Sequence, residues 1–387
     1  MNKELYKLAN ETDHEFCLRI CGLKDAWDLS WQDIADIING ELGAQYSPDK
    51  YRKEYTKEIK TTTEQQLDEL DEAILDFKKE KIKVQEERSQ VNSLVRALAR
   101  EETLKEIAKD AVEAMGSKKL LKSPKPLKSL YRNYNCGILA ISDWHYGIDI
   151  DVYYNKYNPE IARERINTLL QETINIIDKE EIKEIFLINL GDMISGIIHL
   201  PLRINSRIDV ITQTMEISEI LAEFIHELTN HVVVNYGSVS DNHSRIDPNK
   251  KEALQPESFV RIIDWYLKER LYDNINVTFL ENKFGADICD FDIFSYKVLA
   301  VHGDKDPQKS ILTRLTTFTK EHYDLVLSAH RHHFYADESN ETELFSNGSL
   351  MGTDDYASSL RLNNKPSQLF IVGDAENLTR AVYKIKL

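Results

Sequence analysis

Apolar side chains recur through the first 60 residues at the spacing of short amphipathic helices. The pattern predicts three helices, at about 11–27, 29–39 and 49–60. Ser30 is placed to cap the second helix, and Pro48 stands at the first helical position of the third. Residues 1–60 are therefore predicted to form a small all-α domain. One face of its second helix combines Trp31, Ile34, Ala35 and Ile38.

The order of these helices resembles a helix-turn-helix module, in which the third helix would be the recognition helix. That helix carries five basic side chains: Lys50, Arg52, Lys53, Lys57 and Lys60. However, residues 1–60 hold nine basic and twelve acidic residues, a net charge of −3, and the connection before the third helix is longer than a tight turn. A helical docking or dimerisation domain is the alternative interpretation.

Residues 64–110 repeat apolar positions every seven residues, with no Pro or Gly. Eight of the ten a and d positions are apolar, which predicts a coiled coil over residues 61–115. Such a stripe favours a homo-oligomer, most simply a dimer; a helix folded back on its own chain is the alternative. The a positions are Leu67, Ile74, Lys81, Arg88 and Val95, and the d positions are Leu70, Phe77, Val84, Val91 and Leu98.

Residues 116–134 are predicted to be a linker, because Gly, Ser and two Pro discourage regular structure. The stretch 116–133 holds five Lys and one Arg and no acidic residue. It could follow a phosphate backbone, or it could be a solvated tether.

From residue 135, short β-branched runs alternate with helical patterns, which is typical of an α/β domain spanning 135–387. Five of these runs end in Asp, Asn or His. Ligands of α/β sheets gather at the carboxyl ends of strands, so we expect the five ends to meet. The segments are 136–141 with Asp143 and His145, 185–190 with Asp192, 232–236 with Asn242 and His243, 296–301 with His302, and 325–328 with His330 and His332.

This ordered set (D-x-H, G-D, N-H, H, H-x-H) resembles the calcineurin-like metallophosphoesterase superfamily. That superfamily includes Mre11/SbcD-like nucleases and many phage-encoded enzymes. The resemblance spans about 190 residues, from Asp143 to His332. It implies a four-layer α/β/β/α sandwich and hydrolysis of phosphate esters with two divalent metal ions.

The resemblance also implies a role for each residue of the set. His243 would contact the scissile phosphate and help the leaving group depart, without binding metal. Mixed imidazole and carboxylate ligands suit Mn²⁺, Fe²⁺ or Zn²⁺ better than Mg²⁺ or Ca²⁺, and Mn²⁺ is the expected ion. One ion would be held by Asp143, His145 and His332, the other by Asn242, His302 and His330, and Asp192 would bridge them.

The chain departs from the superfamily pattern at three positions. Asp241 replaces the usual Gly before Asn-His, and Ala329 replaces the usual Gly before His-x-His. Because Gly tolerates a positive φ better than Asp, we expect Asp241 to distort its turn. The second Asp after Gly-Asp is absent, and Ser195 lies in that region, which argues against close kinship with the protein phosphatases.

These features together predict a metal-dependent phosphoesterase, with a nuclease acting on DNA or RNA as the main hypothesis. A phosphatase or phosphodiesterase of nucleotides or small molecules is one alternative, and a DNA-binding scaffold with an inactive phosphoesterase domain is another. Three residues near the predicted ligands are candidates for contacting substrate phosphates: His199, Arg203 and Arg245.

Bulk composition narrows the class of protein further. The formal net charge of −16 argues against a uniformly basic surface for nucleic acid but leaves room for a local patch. The four cysteines form no C-x-x-C pair, so neither a zinc ribbon nor a disulfide framework is predicted. Neither a signal segment nor a membrane-spanning run is recognisable, which predicts a cytoplasmic protein with no membrane partner.

Overall fold

A computed structural model describes residues 5–61, 74–88, 90–91, 95, 121–127, 134–198, 200–354, 357–358 and 361–387. The chain divides into two compact units, Met1–Ala99 and Arg100–Leu387. Helices in the first unit, and strands with helices in the second, make this a mixed α/β protein. No helix among the described residues is long and apolar enough to cross a membrane.

Three helices make the core of the N-terminal unit: α1 (Asp13–Gly22), α2 (Trp31–Leu42) and α3 (48–61). Thr12 with Glu15 and Ser30 with Asp33 form capping boxes, which fix where α1 and α2 begin. Gly43, in the left-handed region, ends α2. The shared core buries Phe16, Ile20, Ile34, Ile38 and Tyr51.

Residues 74–88 are helical, in the middle of the predicted coiled coil. Apolar side chains at the a and d positions of this part are exposed, Phe77 by 69% and Val84 by 46%. The heptad prediction for residues 62–73 and 96–115 lies outside the described residues. Among the described residues, these apolar side chains of 74–88 therefore lie exposed along the helix.

Residues 121–127, in the predicted linker, have no regular secondary structure but are held by the C-terminal unit. Ser123 Oγ donates a hydrogen bond to the carbonyl of Asp273 at 2.8 Å. Asn276 binds the segment twice, since its Nδ2 donates to the Lys125 carbonyl at 2.9 Å and its Oδ1 accepts from Leu127 N at 3.3 Å. The remainder of the linker prediction lies outside the described residues.

The C-terminal unit is built from strands and helices in alternation. Its described strands are β1 (Asn135–Ile141), β2 (Ile150–Val152), β3 (Asn155–Tyr157), β4 (Ile182–Asn189), β5 (Val233–Ser238), β6 (Val277–Phe279), β7 (Ile288–Ile293), β8 (Tyr296–Val301), β9 (Leu325–Ser328), β10 (Tyr335–Ser339), β11 (Thr342–Ser346), β12 (Ser367–Gly373) and β13 (Ala381–Lys386). Its described helices are α4 (Pro159–Lys179), α5 (Leu200–Asn205), α6 (Val210–Leu228), α7 (Phe259–Arg270) and α8 (Ile311–Thr319).

Two mixed sheets contain most of these strands. The six-stranded sheet has the order β13-β12-β1-β4-β5-β6, and β1, β4, β5 and β6 run parallel. The five-stranded sheet has the order β10-β11-β9-β8-β7, with β8, β9 and β11 parallel. Strands β2 and β3 form a separate hairpin.

The sheets pack face to face through one apolar cluster. On β1, alternate side chains go to opposite faces: Ile138 and Ala140 enter the cluster between the sheets, whereas Leu139 and Ile141 face the helices. Helices α4, α6 and α7 cover the outer face of the six-stranded sheet, and α8 covers the outer face of the five-stranded sheet. This packing leaves the carboxyl ends of β1, β4, β5, β8 and β9 to carry chemistry.

Candidate metal centre

The five predicted polar strand ends follow β1, β4, β5, β8 and β9. Strands β1, β4 and β5 are parallel neighbours in one sheet, and β8 and β9 are parallel neighbours in the other. Parallel neighbours end on the same edge, so the loops after them can share a site. Backbone hydrogen bonds join the first two loops, from Asp143 N to Gly191 O at 3.0 Å and from His145 N to Asp192 O at 2.9 Å.

Backbone conformation marks these loops as unusual. Left-handed φ angles cost non-glycine residues free energy and gather at functional sites. Five of the predicted metal ligands adopt them: Asp143 (53°), His145 (43°), Asp192 (54°), His330 (70°) and His332 (57°).

One group of potential ligands comprises Asp143, His145, Asp192 and His332. His145 Nε2 and His332 Nε2 are 3.2 Å apart, and His332 Nε2 is 3.3 Å from Asp143 Oδ1. His145 Nε2 lies 3.8 Å from Asp192 Oδ2. Four ligand atoms around one point suit a transition-metal ion.

A second group shares Asp192 with the first and adds His302 and His330. His302 Nε2 lies 3.3 Å from Asp192 Oδ2 and 3.2 Å from His330 Nδ1. Asn242 Oδ1 completes this group, 2.9 Å from His302 Nε2. All seven predicted ligands are thus brought together in two groups, with Asp192 between them.

Two unsatisfied carboxylate oxygens test whether cations fit here. Asp143 Oδ1 and Asp192 Oδ2 are buried and have no hydrogen-bond partner among the described residues. The nearest imidazole nitrogens stand 3.3 Å away but outside hydrogen-bond geometry. Leaving a buried anionic oxygen without a partner costs at least about 1–3 kcal/mol of folding free energy. A bound cation would remove that cost. The donor set therefore fits metal ions.

The ligand carboxylates and imidazoles shift one another's pKa values. Burial by itself would raise the pKa of Asp192, but the imidazoles of His243 and His302 hold that pKa well below its usual range. Burial would lower the pKa of His302, but the carboxylates of Asp192 and Asp143 raise it to about 10. These shifts share one cause, since the two carboxylates favour positive charge beside them. A divalent cation meets the same need.

Neighbouring polar groups hold the ligands in place. Ser142 Oγ donates to Asp143 Oδ2 at 2.7 Å, and Asn347 Nδ2 donates to Ser142 Oγ at 2.9 Å. His302 Nδ1 lies 2.7 Å from the Leu190 carbonyl, to which it can donate, so that Nε2 is the nitrogen directed at the ligand group. Sequence reasoning missed Ser142 and Asn347, because neither lies in a motif of its own.

Gln368 on β12 is another supporting residue that sequence reasoning missed. Its Oε1 accepts from Ser142 N at 2.8 Å and from Trp144 Nε1 at 3.2 Å, and its Nε2 donates to Gly348 O at 2.8 Å. This buried side chain joins the D-x-H loop to the loop after β11. The partners in these two loops are 20 to 226 residues away in the chain, so no local pattern could reveal the role of Gln368.

His243 lies beside the ligand groups but is oriented differently. Its backbone N donates to Asp192 Oδ1 at 3.2 Å, and its Nδ1 lies 2.8 Å from the Ser195 carbonyl. Its Nε2 is 3.9 Å from Asp192 Oδ2, and its side chain keeps 14% of its surface exposed. The group that faces His243 Nδ1 is thus a neutral backbone carbonyl, that of Ser195.

The expectation that Asp241 distorts its turn is wrong. Asp241 is not among the described residues with a positive φ, so it does not adopt the conformation that favours glycine. Its carboxylate instead organises the loop, accepting from Ser244 N at 2.6 Å and Ser244 Oγ at 2.9 Å. The positive φ belongs to Gly191 (97°), where an added Cβ would lie 2.5 Å from the Asp241 Cβ.

The substrate-contact candidates fall in different places. Arg203 is exposed at the end of α5. Arg245 is half-buried and lines a cavity of about 120 Å³ together with Asn242. His199 lies outside the described residues. The roles of all three stay predictions.

Comparison with known sequences gives two matches. A family model described as the YonJ N-terminal domain matches residues 1–68. Over 381 residues the chain is 27% identical to YonJ of Bacillus subtilis (strain 168), described as an SPbeta prophage-derived uncharacterized protein, and the match covers 92% of each chain. The chain therefore has a prophage-derived relative that matches it across both units.

Similar solved structures include an archaeal phosphodiesterase (16% identity, 65% of this chain and 99% of that one, TM-score 0.33). They also include Vps29 of Entamoeba histolytica complexed with Zn²⁺ (11%, 65% and 98%, 0.31) and an uncharacterized predicted phosphoesterase of Streptococcus pneumoniae (10%, 67% and 100%, 0.27).

Proposed function

We propose that this protein is a phosphodiesterase that depends on two divalent metal ions, with Mn²⁺ as the expected ion, and that its substrate is nucleic acid. The observation that carries the proposal is the pair of ligand groups sharing Asp192, with an unsatisfied buried oxygen on each of two carboxylates. We further propose that the α/β unit is a four-layer metallophosphoesterase sandwich, in keeping with helices on the outer face of each sheet.

Each side chain of the site has a distinct part in this mechanism. When bound, two such cations would neutralise the charge of a phosphodiester and make a water molecule more acidic. Asp143, His145 and His332 would hold one ion, Asn242, His302 and His330 the other, and Asp192 both. His243 keeps a proton on Nδ1 toward the Ser195 carbonyl, so Nε2 of its imidazolium form can donate a proton to the leaving-group oxygen.

The nucleic-acid part of the proposal rests on the N-terminal unit. Helix α3 exposes Arg52, Lys53 and Lys57 along its length, as a helix that contacts phosphates would. The exposed apolar positions of residues 74–88 would pair two chains into a dimer and so bring two such helices together. Two weak contacts joined in this way bind far more tightly than one.

The test is a hydrolysis assay with metal-loaded protein on bis-p-nitrophenyl phosphate and on single- and double-stranded DNA and RNA. Asp192→Ala should lose most bound metal and all activity while keeping its circular dichroism spectrum, because Asp192 belongs to both groups. Asp304→Ala, which removes a carboxylate outside the ligand groups, should keep both metals. Full activity of Asp192→Ala would refute the two-metal centre. Hydrolysis of the small diester without cleavage of any nucleic acid would refute the substrate assignment.

A further inference from the structure

The strap of residues 245–258, between β5 and α7, begins two residues after His243. An antiparallel bridge pairs its end residues, Arg245 and Ser258. Phe259 N donates to the Ser244 carbonyl at 2.8 Å and Ile246 N to the Glu257 carbonyl at 3.3 Å, which closes the base of the strap. Arg245 is therefore held at a fixed position relative to His243.

The Arg245 guanidinium has no ion pair or hydrogen bond to any side chain or carbonyl in the described part of the chain. Its Nε is fully buried and unsatisfied. Nearby cations are different, because Lys305 pairs with Asp287 at 2.8 Å and Arg314 with Asp306 at 3.4 Å. A half-buried arginine without a partner costs free energy unless a ligand supplies the acceptor.

Arg245 lines a cavity of about 120 Å³ that also touches Asn242, one of the proposed metal ligands. A cavity needs only about 10–15 Å³ of such space to hold one water molecule, so this one has room for a phosphate group. The planar guanidinium matches two phosphate oxygens at once. The cavity thus offers an anion contact beside the metal centre but separate from it.

Carboxylates also line this cavity, and any that lacks a partner would weaken the binding of an anion. The Asp241 carboxylate is occupied by Ser244, and Asp304 faces Lys250 at 3.8 Å. Glu257 remains, with a buried Oε2 that has no hydrogen-bond partner in the described residues. Glu257 therefore opposes an anion that Arg245 attracts, and the two residues should have opposite effects on binding.

We propose that Arg245 binds the phosphate next to the scissile phosphate, so that the preferred substrate carries at least two successive phosphates. This inference rests on the proposed phosphodiesterase function. The scissile group belongs with His243 and the two ligand groups, whereas Arg245 reaches a cavity beyond Asn242. A polynucleotide meets this requirement at every internal bond, and a single-phosphate diester does not.

The experiment compares dinucleotides that differ in one phosphate. Thymidylyl-thymidine, with a single internal phosphate, is assayed beside the same dinucleotide bearing a further 5′ or 3′ phosphate, and the ribonucleotide series is run in parallel. The wild type should prefer one of the extended substrates in kcat/KM by about 10- to 100-fold, the range of a charge-assisted hydrogen bond. Arg245→Gln should bring that preference to about 1, and Arg245→Lys to an intermediate value.

Two variants on the same strap serve as controls. Lys251→Ala also removes one positive charge, but Lys251 does not line the cavity, so the preference should persist. Glu257→Gln should increase the preference, because a like charge is removed. Metal content and circular dichroism establish that each variant is folded and loaded. A wild type that hydrolyses all the dinucleotides equally, or an Arg245→Gln variant that keeps the preference, overturns the inference alone. No hydrolysis of bis-p-nitrophenyl phosphate by loaded wild type overturns the proposed function, and the inference with it.

Discussion

His243 differs from the histidines around it in its proposed role, because it would donate a proton and would not bind metal. Its Nδ1 faces the Ser195 carbonyl, and its Nε2 is farther from the shared carboxylate than that of His302. His243→Ala should therefore keep two metals per chain while kcat for the small diester falls by about 10²–10⁴-fold. Metal analysis and steady-state kinetics measure both quantities. His231→Ala, on a surface loop, is the matched control, and loss of metal from His243→Ala would show that His243 is a ligand.

Metal affinity should depend on pH through His302. The carboxylates raise the pKa of His302 to about 10, and a metal ion binding through its Nε2 must displace that proton. Because the proton is bound throughout pH 6–9, affinity should rise with pH, by about tenfold per unit for each proton released. Calorimetric titration of Mn²⁺ in buffers of different ionisation enthalpy counts those protons. An affinity that stays constant between pH 6 and 8 would contradict this electrostatic account.

At the level of elements, helices α6 and α7 are joined by a buried ion pair. Arg270 Nη2 lies 3.1 Å from Glu219 Oε1, both side chains are 8% exposed, and Tyr266 OH donates to Glu219 Oε2 at 2.5 Å. Glu219→Ala would remove the carboxylate that faces the buried Arg270 charge, which should cost about 3–5 kcal/mol of unfolding free energy. Urea denaturation measures it.

The matched control on the same helix is Glu227→Ala, which alters a largely exposed carboxylate. It should change the free energy of unfolding by less than about 0.5 kcal/mol. Equal losses of unfolding free energy in the two variants would contradict the stabilising role of the Glu219–Arg270 ion pair.

The elements also separate what the sequence could reveal from what it could not. The five runs that end in polar residues lie in β1, β4, β5, β8 and β9. A parallel strand that is buried on both faces has a continuous apolar sequence, so its polar functional residues stand out where the strand ends. Strands β12 and β13, which complete the larger sheet at its edge, carry no such ending and were not predicted. The seven predicted ligands followed from the order of the motifs and the resemblance it carries, whereas Gln368 and the Ser195 carbonyl act through contacts that only the folded chain creates.

At the scale of the whole molecule, the exposed apolar positions of residues 74–88 predict self-association. Val84 at a d position and Phe77 at the preceding one are exposed by 46% and 69%. Val84→Lys should convert a dimer into a monomer, because a buried charge at this position opposes pairing. Glu86→Lys, on the opposite side of the heptad, should leave the dimer intact. Light scattering decides, and a monomeric wild type would refute the coiled-coil dimer.

The left-handed backbone conformations of the predicted metal ligands lower the stability of the fold in exchange for placing the side chains at the site. Each non-glycine residue in this conformation lowers the free energy of unfolding by about 1–2 kcal/mol, a cost that glycine avoids because it has no Cβ. His330, at φ 70°, offers a comparison in chelator, since His330→Gly and His330→Ala both lose the imidazole but only glycine relieves the backbone. The glycine variant should melt at the higher temperature, and equal melting temperatures would show no such conflict. For the wild type, a bound ion stabilises the fold by an amount that grows with the logarithm of its concentration over its Kd. Scarcity of metal would therefore destabilise the folded protein as well as abolish its activity.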